Sequence, residues 1–218
     1  MLYTESLNYK NNPNGRVGGR IERGSKYVET DQDNQNINVL MQASTNFERI
    51  GDHAINVMET AQLVEAEKIT FSSEAVEELK IIQDAVMEIT AITVDAFSHE
   101  DYNKAKMIEP LEEVIDDMVV TLKDRHVERL KAGNCTTASG MVFVDLITNL
   151  ERVADQCSNI ALLILSQKDK SILGNHHGYV RELHKGGDVT YDAELARQKA
   201  HYSARLKNIN ADQIAFME

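Results

Sequence analysis

Asn46-Phe47-Glu48-Arg49-Ile50-Gly51-Asp52-His53-Ala54-Ile55-Asn56 reads as the middle of an amphipathic helix with two acids, four residues apart, running along its apolar side. The arrangement returns at a constant offset of 103 as Asn149-Leu150-Glu151-Arg152-Val153-Ala154-Asp155-Gln156-Cys157-Ser158-Asn159. From Thr45 to Glu59 the identical pairs are Thr45/Thr148, Asn46/Asn149, Glu48/Glu151, Arg49/Arg152, Asp52/Asp155 and Asn56/Asn159. Phe47/Leu150, Ile50/Val153, Gly51/Ala154 and Val57/Ile160 keep their size class. Residues four apart share one helix face, so Glu48, Asp52 and Asn56 form a polar column, and Glu151, Asp155 and Asn159 form its twin. An unpaired carboxylate taken out of water costs several kcal/mol. A repeat that keeps acids beside an apolar stripe therefore needs a partner for them.

Working outward, Ile37, Leu40, Met41, Ser44, Phe47, Gly51, Ile55, Met58 and Gln62 step by three and four, which predicts a helix over 32–66 capped by Asp31 or Asp33. Ser72-Ser73-Glu74-Ala75-Val76-Glu77 reads as a start with Ser73 as N-cap. It opens a helix over 74–98 with Val76, Leu79, Ile82, Val86, Ile89, Ile92 (or Thr93) and Ala96 inward. After a turn at Ser98-His99-Glu100-Asp101, a helix over 101–131 carries Ala105, Ile108, Leu111, Ile115, Met118, Leu122 and Leu130 inward. Pro110 is expected to kink it, and Gly133 to close it.

A fourth helix, 137–167, bears the second copy of the motif. Gly174-Asn175-His176-His177-Gly178 and Lys185-Gly186-Gly187 mark loops around a short helical turn. A last helix over 191–208 packs Leu195 and Leu206, with Tyr191 and Tyr202 beside them. Residues 1–30, with Asn11-Asn12-Pro13-Asn14-Gly15 and Val17-Gly18-Gly19, read as an irregular lead-in. The expected class is all-α, an up-and-down helical bundle.

Composition agrees with that class: two prolines, no tryptophan, and abundant Glu, Ala, Leu and Lys in 218 residues. The net charge of −12, spread along the chain, disfavours nucleic acid and anionic membrane surfaces and suits cations. No stretch approaches the roughly 18 apolar residues of a membrane span, and no signal-peptide core opens the chain, so direct membrane insertion is not expected and the reading is cytoplasmic. Cys135 and Cys157 lack CxxC spacing and read as reduced thiols.

A third acidic pair lies at Glu112 and Asp116, again four apart, and antiparallel neighbours would bring it level with Glu151 and Asp155. Two compensations are open. Arg49, Arg152 and lysines from adjacent helices can neutralise the acids, or a metal ion can, as in carboxylate-bridged di-metal bundles. Oxygen-only ligands suit hard or borderline cations. His53 and His126 do not stand in an E-x-x-H frame with the acids, and His176-His177 lies in a loop. No nucleophile–base couple is evident, so a di-metal oxidase or hydrolase is the least supported class and no enzyme is expected.

Glu48-Arg49-Ile50-Gly51-Asp52-His53-Ala54 and Glu151-Arg152-Val153-Ala154-Asp155 resemble the E-R-I-G-D motif of the PhoU family of phosphate-uptake regulators. Phe71-Ser72-Ser73-Glu74-Ala75, Glu109-Pro110-Leu111-Glu112-Glu113-Val114-Ile115-Asp116, Arg125-His126-Val127-Glu128-Arg129-Leu130, Gly133-Asn134-Cys135 and Asp155-Gln156-Cys157-Ser158-Asn159-Ile160-Ala161 are similar to the PhoU-type tail of bacterial sodium/phosphate cotransporters. The resemblance covers about residues 31–180. It implies two three-helix repeats whose E(D)-x-x-x-D pairs hold a divalent or ferric ion (iron, manganese or zinc).

It further implies regulation of phosphate transport by contact with a transporter membrane domain or a sensor kinase, with a homodimer as a further expected assembly. The chain would be such a transporter's cytoplasmic tail or a detached form of it. Residues 71–168 would be a complete second repeat, 31–70 the remnant of a first, and 169–218 a loop and C-terminal helix. The implied metal set is Glu112, Asp116, Glu151 and Asp155, with Glu48 and Asp52 in the first repeat. The first repeat departs from the pattern, because the same offset carries Glu112 and Asp116 back to Tyr9 and Pro13. Gln156 stands where the cotransporter tails carry His.

Overall fold

The computed structural model describes residues 30–172 and 174–215, and all their regular structure is helical. The helices are α1 (Asp31–Ala66), α2 (Ser73–His99), α3 (Tyr102–Ala105), α4 (Ile108–Lys131), α5 (Thr137–Lys168), α6 (His176–His184) and α7 (Val189–Ala215). The expected irregular lead-in lies outside the described residues. By its contacts the chain divides between Thr45 and Asn46.

In the first unit α1 begins on Thr30. Its hydroxyl accepts from Asp33 N at 3.1 Å, while Asp33 Oδ2 accepts from Thr30 N at 3.1 Å. This reciprocal cap puts Thr30, not Asp31 or Asp33, at the N-cap, with Asp33 as its third-position partner. Leu40 and Met41 are exposed, and the buried positions are Val39 and Ala43.

The second unit is an up-and-down bundle of α2, α4 and α5, with α7 lying along α4 and α2. Its core is aliphatic: Ile82, Ile89, Ile108, Leu111, Ile115, Leu122, Ile147 and Ile160 are wholly buried beside Phe143 and Tyr202. Each such side chain contributes about 1.5–3 kcal/mol of transfer free energy. The part of α1 from Asn46 onward touches this core through Phe47 and Ile50, with the Phe47 ring edge-on to Phe97 at 5.2 Å. Gly51, Met58 and Gln62 are exposed rather than inward. The buried face of α1 runs through Asn46 and Ile50, one position round from the expected stripe. Val76 and Leu130 are exposed as well, since each sits at the edge of its helix's apolar face.

Local chemistry sets the ends. Ser72, not Ser73, caps α2, accepting from Ala75 N at 3.2 Å. Thr136 and Ser139 form a capping box at α5. Gly133, at φ +74°, closes α4 in a Schellman turn: Asn134 N bonds Arg129 O at 2.9 Å and Gly133 N bonds Leu130 O at 3.1 Å. The expected single helix over 101–131 is interrupted. Asp101 caps the one-turn α3, and the chain restarts at Ile108. Pro110 therefore stands in the first turn of α4, where its missing N–H deprives no carbonyl, and it makes a start instead of a kink.

Candidate metal centre

On α4, burial of Leu111, Val114, Ile115 and Met118 turns the neighbouring strip of Glu109, Glu112, Glu113 and Asp116 along the bundle interior. On α5, Val153, Ala154 and Cys157 are buried around Asp155. One carboxylate oxygen from each of Glu112, Asp116 and Asp155 lies within 4.8 Å of the others. All three residues are half-buried.

Crowding shows in their acidity. Glu112 is pushed up to about 9, first by burial and then by the charges of Glu109, Asp116, Asp155 and Glu113. Asp116 is pushed up to about 6 by burial and then by Asp155 and Glu151. Asp155 is raised by burial and by Glu151. Asp116 Oδ1 is buried with no hydrogen-bond partner. Among the described residues no Lys or Arg side chain reaches Glu112, Asp116 or Asp155 within ion-pair distance; the nearby cations engage other acids. Three converging carboxyl groups, with Asp116 Oδ1 unpaired and Glu112 and Asp155 tied only to each other by a hydrogen bond, are what a hard or borderline cation satisfies in place of the Glu112 proton, so the residues present fit a metal ion.

Glu151 does not join the three. Lys123 Nζ holds its Oε2 at 3.3 Å, so on this residue the charge is met by a lysine. Glu48 and Asp52 are exposed on α1, and no acid faces them in a three-residue cluster among the described residues. Their helix neighbours tie α1 to α5 instead: His53 Nδ1 and Asn56 Nδ2 each lie 3.2 Å from Asn149 Oδ1, and Thr60 Oγ1 donates to Asp145 at 2.9 Å.

Other residues at the centre carried weaker signals. Glu109 is buried, its Oε2 accepting from Ser158 Oγ and its Oε1 lying 3.2 Å from His184 Nε2. Its place three residues before Glu112 is a legible clue; the approach of His184, from a different helix, has none in the sequence.

Residues 79–164 match the family model of the PhoU domain. That segment is similar to a PhoU domain. The match takes in most of α2, all of α3 and α4, and most of α5, and so includes Glu112, Asp116, Glu151 and Asp155. Over 121 residues the chain is 31% identical to the phosphate-specific transport system accessory protein PhoU homolog 1 of Thermotoga maritima. That alignment covers 56% of this chain and 51% of the relative, so the chain spans about half the length of the curated relative it matches. Among solved structures it shares its fold with the phosphate transport system regulatory protein PhoU from Streptococcus pneumoniae, at a TM-score of 0.62 and 19% identity over 71% of each chain. Among the described residues no helix is long and apolar enough to cross a membrane. His184 and Tyr191 lie beyond the matched PhoU segment.

Proposed function

We propose that this chain is a metal-binding, non-enzymatic regulator of phosphate transport, acting by contact with a transporter membrane domain or a sensor kinase. The observation that carries this reading is the convergence of Glu112, Asp116 and Asp155 inside a PhoU domain, with Asp116 Oδ1 left unpaired. The matched relative and the solved neighbour are both named for phosphate transport systems, which supports the same role here. Bound iron, manganese or zinc would neutralise the three acids and fix α4 against α5, making the surface presented to a partner depend on the metal. A cytoplasmic setting, as a tail of a sodium/phosphate cotransporter or a detached form of it, accords with the resemblance.

Metal analysis of protein purified without chelator tests the centre. At least one ion per chain is expected, falling by one in the Glu112→Gln, Asp155→Asn double variant. Less than one ion in the unmutated protein removes the claim. A metal-free docking module is the competing reading, and the Lys123–Glu151 pair favours it by showing one acid already neutralised. It predicts that EDTA leaves the melting temperature unchanged, whereas a bound ion stabilises the fold in proportion to its binding.

A further inference from the structure

A groove of about 760 Å³ opens on the second unit, and none of Glu112, Asp116 and Asp155 lines it. Thr60 and Leu63 enter it from α1, His126 and Leu130 from α4, and α5 contributes a face running from Thr137 to Arg152. Its volume falls within the range of about 300–1,000 Å³ common to small-molecule sites. The bonds from Asn56 to Asn149 and from Thr60 to Asp145 run α1 antiparallel to α5, which carries Leu63 towards Met141. Leu130 comes up beside Gly140 from α4.

One end of the groove is thus apolar. Leu63, Leu130 and Met141 gather there while remaining 47%, 38% and 71% exposed. Scattered apolar side chains on a surface mean little, whereas a cluster in a concave place marks a binding surface. His126 stands in the wall beside them, and burial and then Arg129 hold it below its ordinary value, so the ring brings no charge.

The other end is cationic. Arg152 stands about 16 Å from Met141 along α5, at roughly 1.5 Å per residue. Among the described residues neither its guanidinium nor the Thr148 hydroxyl, one turn before it, has a hydrogen-bond or ion-pair partner, whereas Arg125, Arg129, Arg197 and Arg205 all engage acids. Asp145, the acid that lines the groove, is taken by Thr60 and Asn149.

We propose that this groove binds a medium-chain fatty-acid anion, its carboxylate on Arg152 and Thr148 and its chain over Leu63, Leu130 and Met141. One guanidinium matches one carboxylate, fork to fork. A phosphate monoester carries about −1.5 to −2 and would leave charge unmet in a chain of net charge −12. The site stands apart from the metal reading, since no residue lining it belongs to the converging acids.

The experiment is calorimetric titration of the full chain in EDTA with decanoate below its micelle concentration, with decanol and decyl phosphate as probes of matched length. Wild type should saturate at one decanoate per chain and bind the other two more weakly. Arg152→Gln should weaken decanoate by at least about tenfold, the loss of one charge-assisted pair, and leave decanol unchanged. Leu63→Gln and Met141→Gln, both at exposed positions, should weaken decanoate and decanol alike. Decanol binding as tightly as decanoate, or an Arg152→Gln protein with wild-type affinity, means an apolar patch only and overturns the proposal. Tighter binding of decyl phosphate overturns the choice of a carboxylate, and decanoate that never saturates leaves the groove to a protein segment and overturns the proposal as well.

Discussion

Glu112→Gln should stabilise the metal-free protein. Folding raises this carboxyl from 4.5 to about 9, so at pH 7 the folded chain holds a proton that the unfolded chain has released. Each unit is worth about 1.36 kcal/mol, and the interval from 4.5 to 7 corresponds to about 3 kcal/mol against folding. The neighbouring acids share the strain and titrate together, so about 2 kcal/mol is the gain expected from removing the charge. For a chain of this size that is about 4–8 °C in melting temperature.

The pH dependence has a definite sign. Between 4.5 and about 9 the folded state binds more protons at Glu112 than the unfolded state, so stability falls as pH rises through that window. Asp116 adds a steeper fall between 3.8 and about 6. Urea unfolding in EDTA from pH 5 to 9 should show the decline in wild type and a flatter curve in Glu112→Gln. With excess metal the order should reverse, because the variant then lacks a ligand. A Glu112→Gln protein no more stable than wild type in EDTA, with an unchanged pH slope, would refute the reasoning.

Arg129→Met should cost about 3–5 kcal/mol in urea unfolding, because it strips the closest partner, at 2.8 Å, from the buried Glu78 carboxylate. Adding Glu78→Gln should return a large part of that loss. Gly140→Ala would set a methyl 2.5 Å from His126 Nε2, on a ring stacked against Phe143, and should cost about 1–3 kcal/mol. A double-mutant cycle with His126→Ala should recover more than about 1 kcal/mol of coupling. The exposed pair Glu48→Gln, Asp52→Asn should change stability by no more than about 0.5 kcal/mol and leave metal content as it was.

Much of the helical frame was legible because its signals are local. The helix expected at 74–98 is Ser73–His99, and that at 137–167 is Thr137–Lys168. The interruption at Lys106–Met107 was not legible, since α4 restarts after Met107 with no side-chain cap while buried Ala105 and Ile108 continue the apolar stripe across it. At the centre, Glu112, Asp116 and Asp155 could be read from four-residue spacing and the internal repeat. Whether Glu151 would join them depended on where Lys123 reaches across from α4, and periodicity says nothing of that. His184 approaches on α6, beyond the loop after α5, a long-range packing outcome with no period at all, whereas the buried Tyr191 and Tyr202 could be read beside the stripe of the last helix. The buried Glu78 likewise reads as one more surface acid until Arg125 and Arg129 are placed around it.

The two copies of one motif show why spacing alone does not make a centre. On α5, Ala154, Cys157, Ala161 and Ile164 are buried; their counterparts on α1, Gly51, Ala54, Met58 and Ala61, are exposed. The difference is in the neighbours. Between α2 and α4, α5 holds Asp155 in a setting where burial and Glu151 raise its carboxyl, and Glu112 and Asp116 converge on it. On α1 the same Glu and Asp point into water, where a carboxylate keeps its hydration and gains little by binding an ion. The proposed cation position therefore needs facing acids from α4 and a core that removes the water, and the repeated E-R-x-x-D sequence contributes only one wall of such a site.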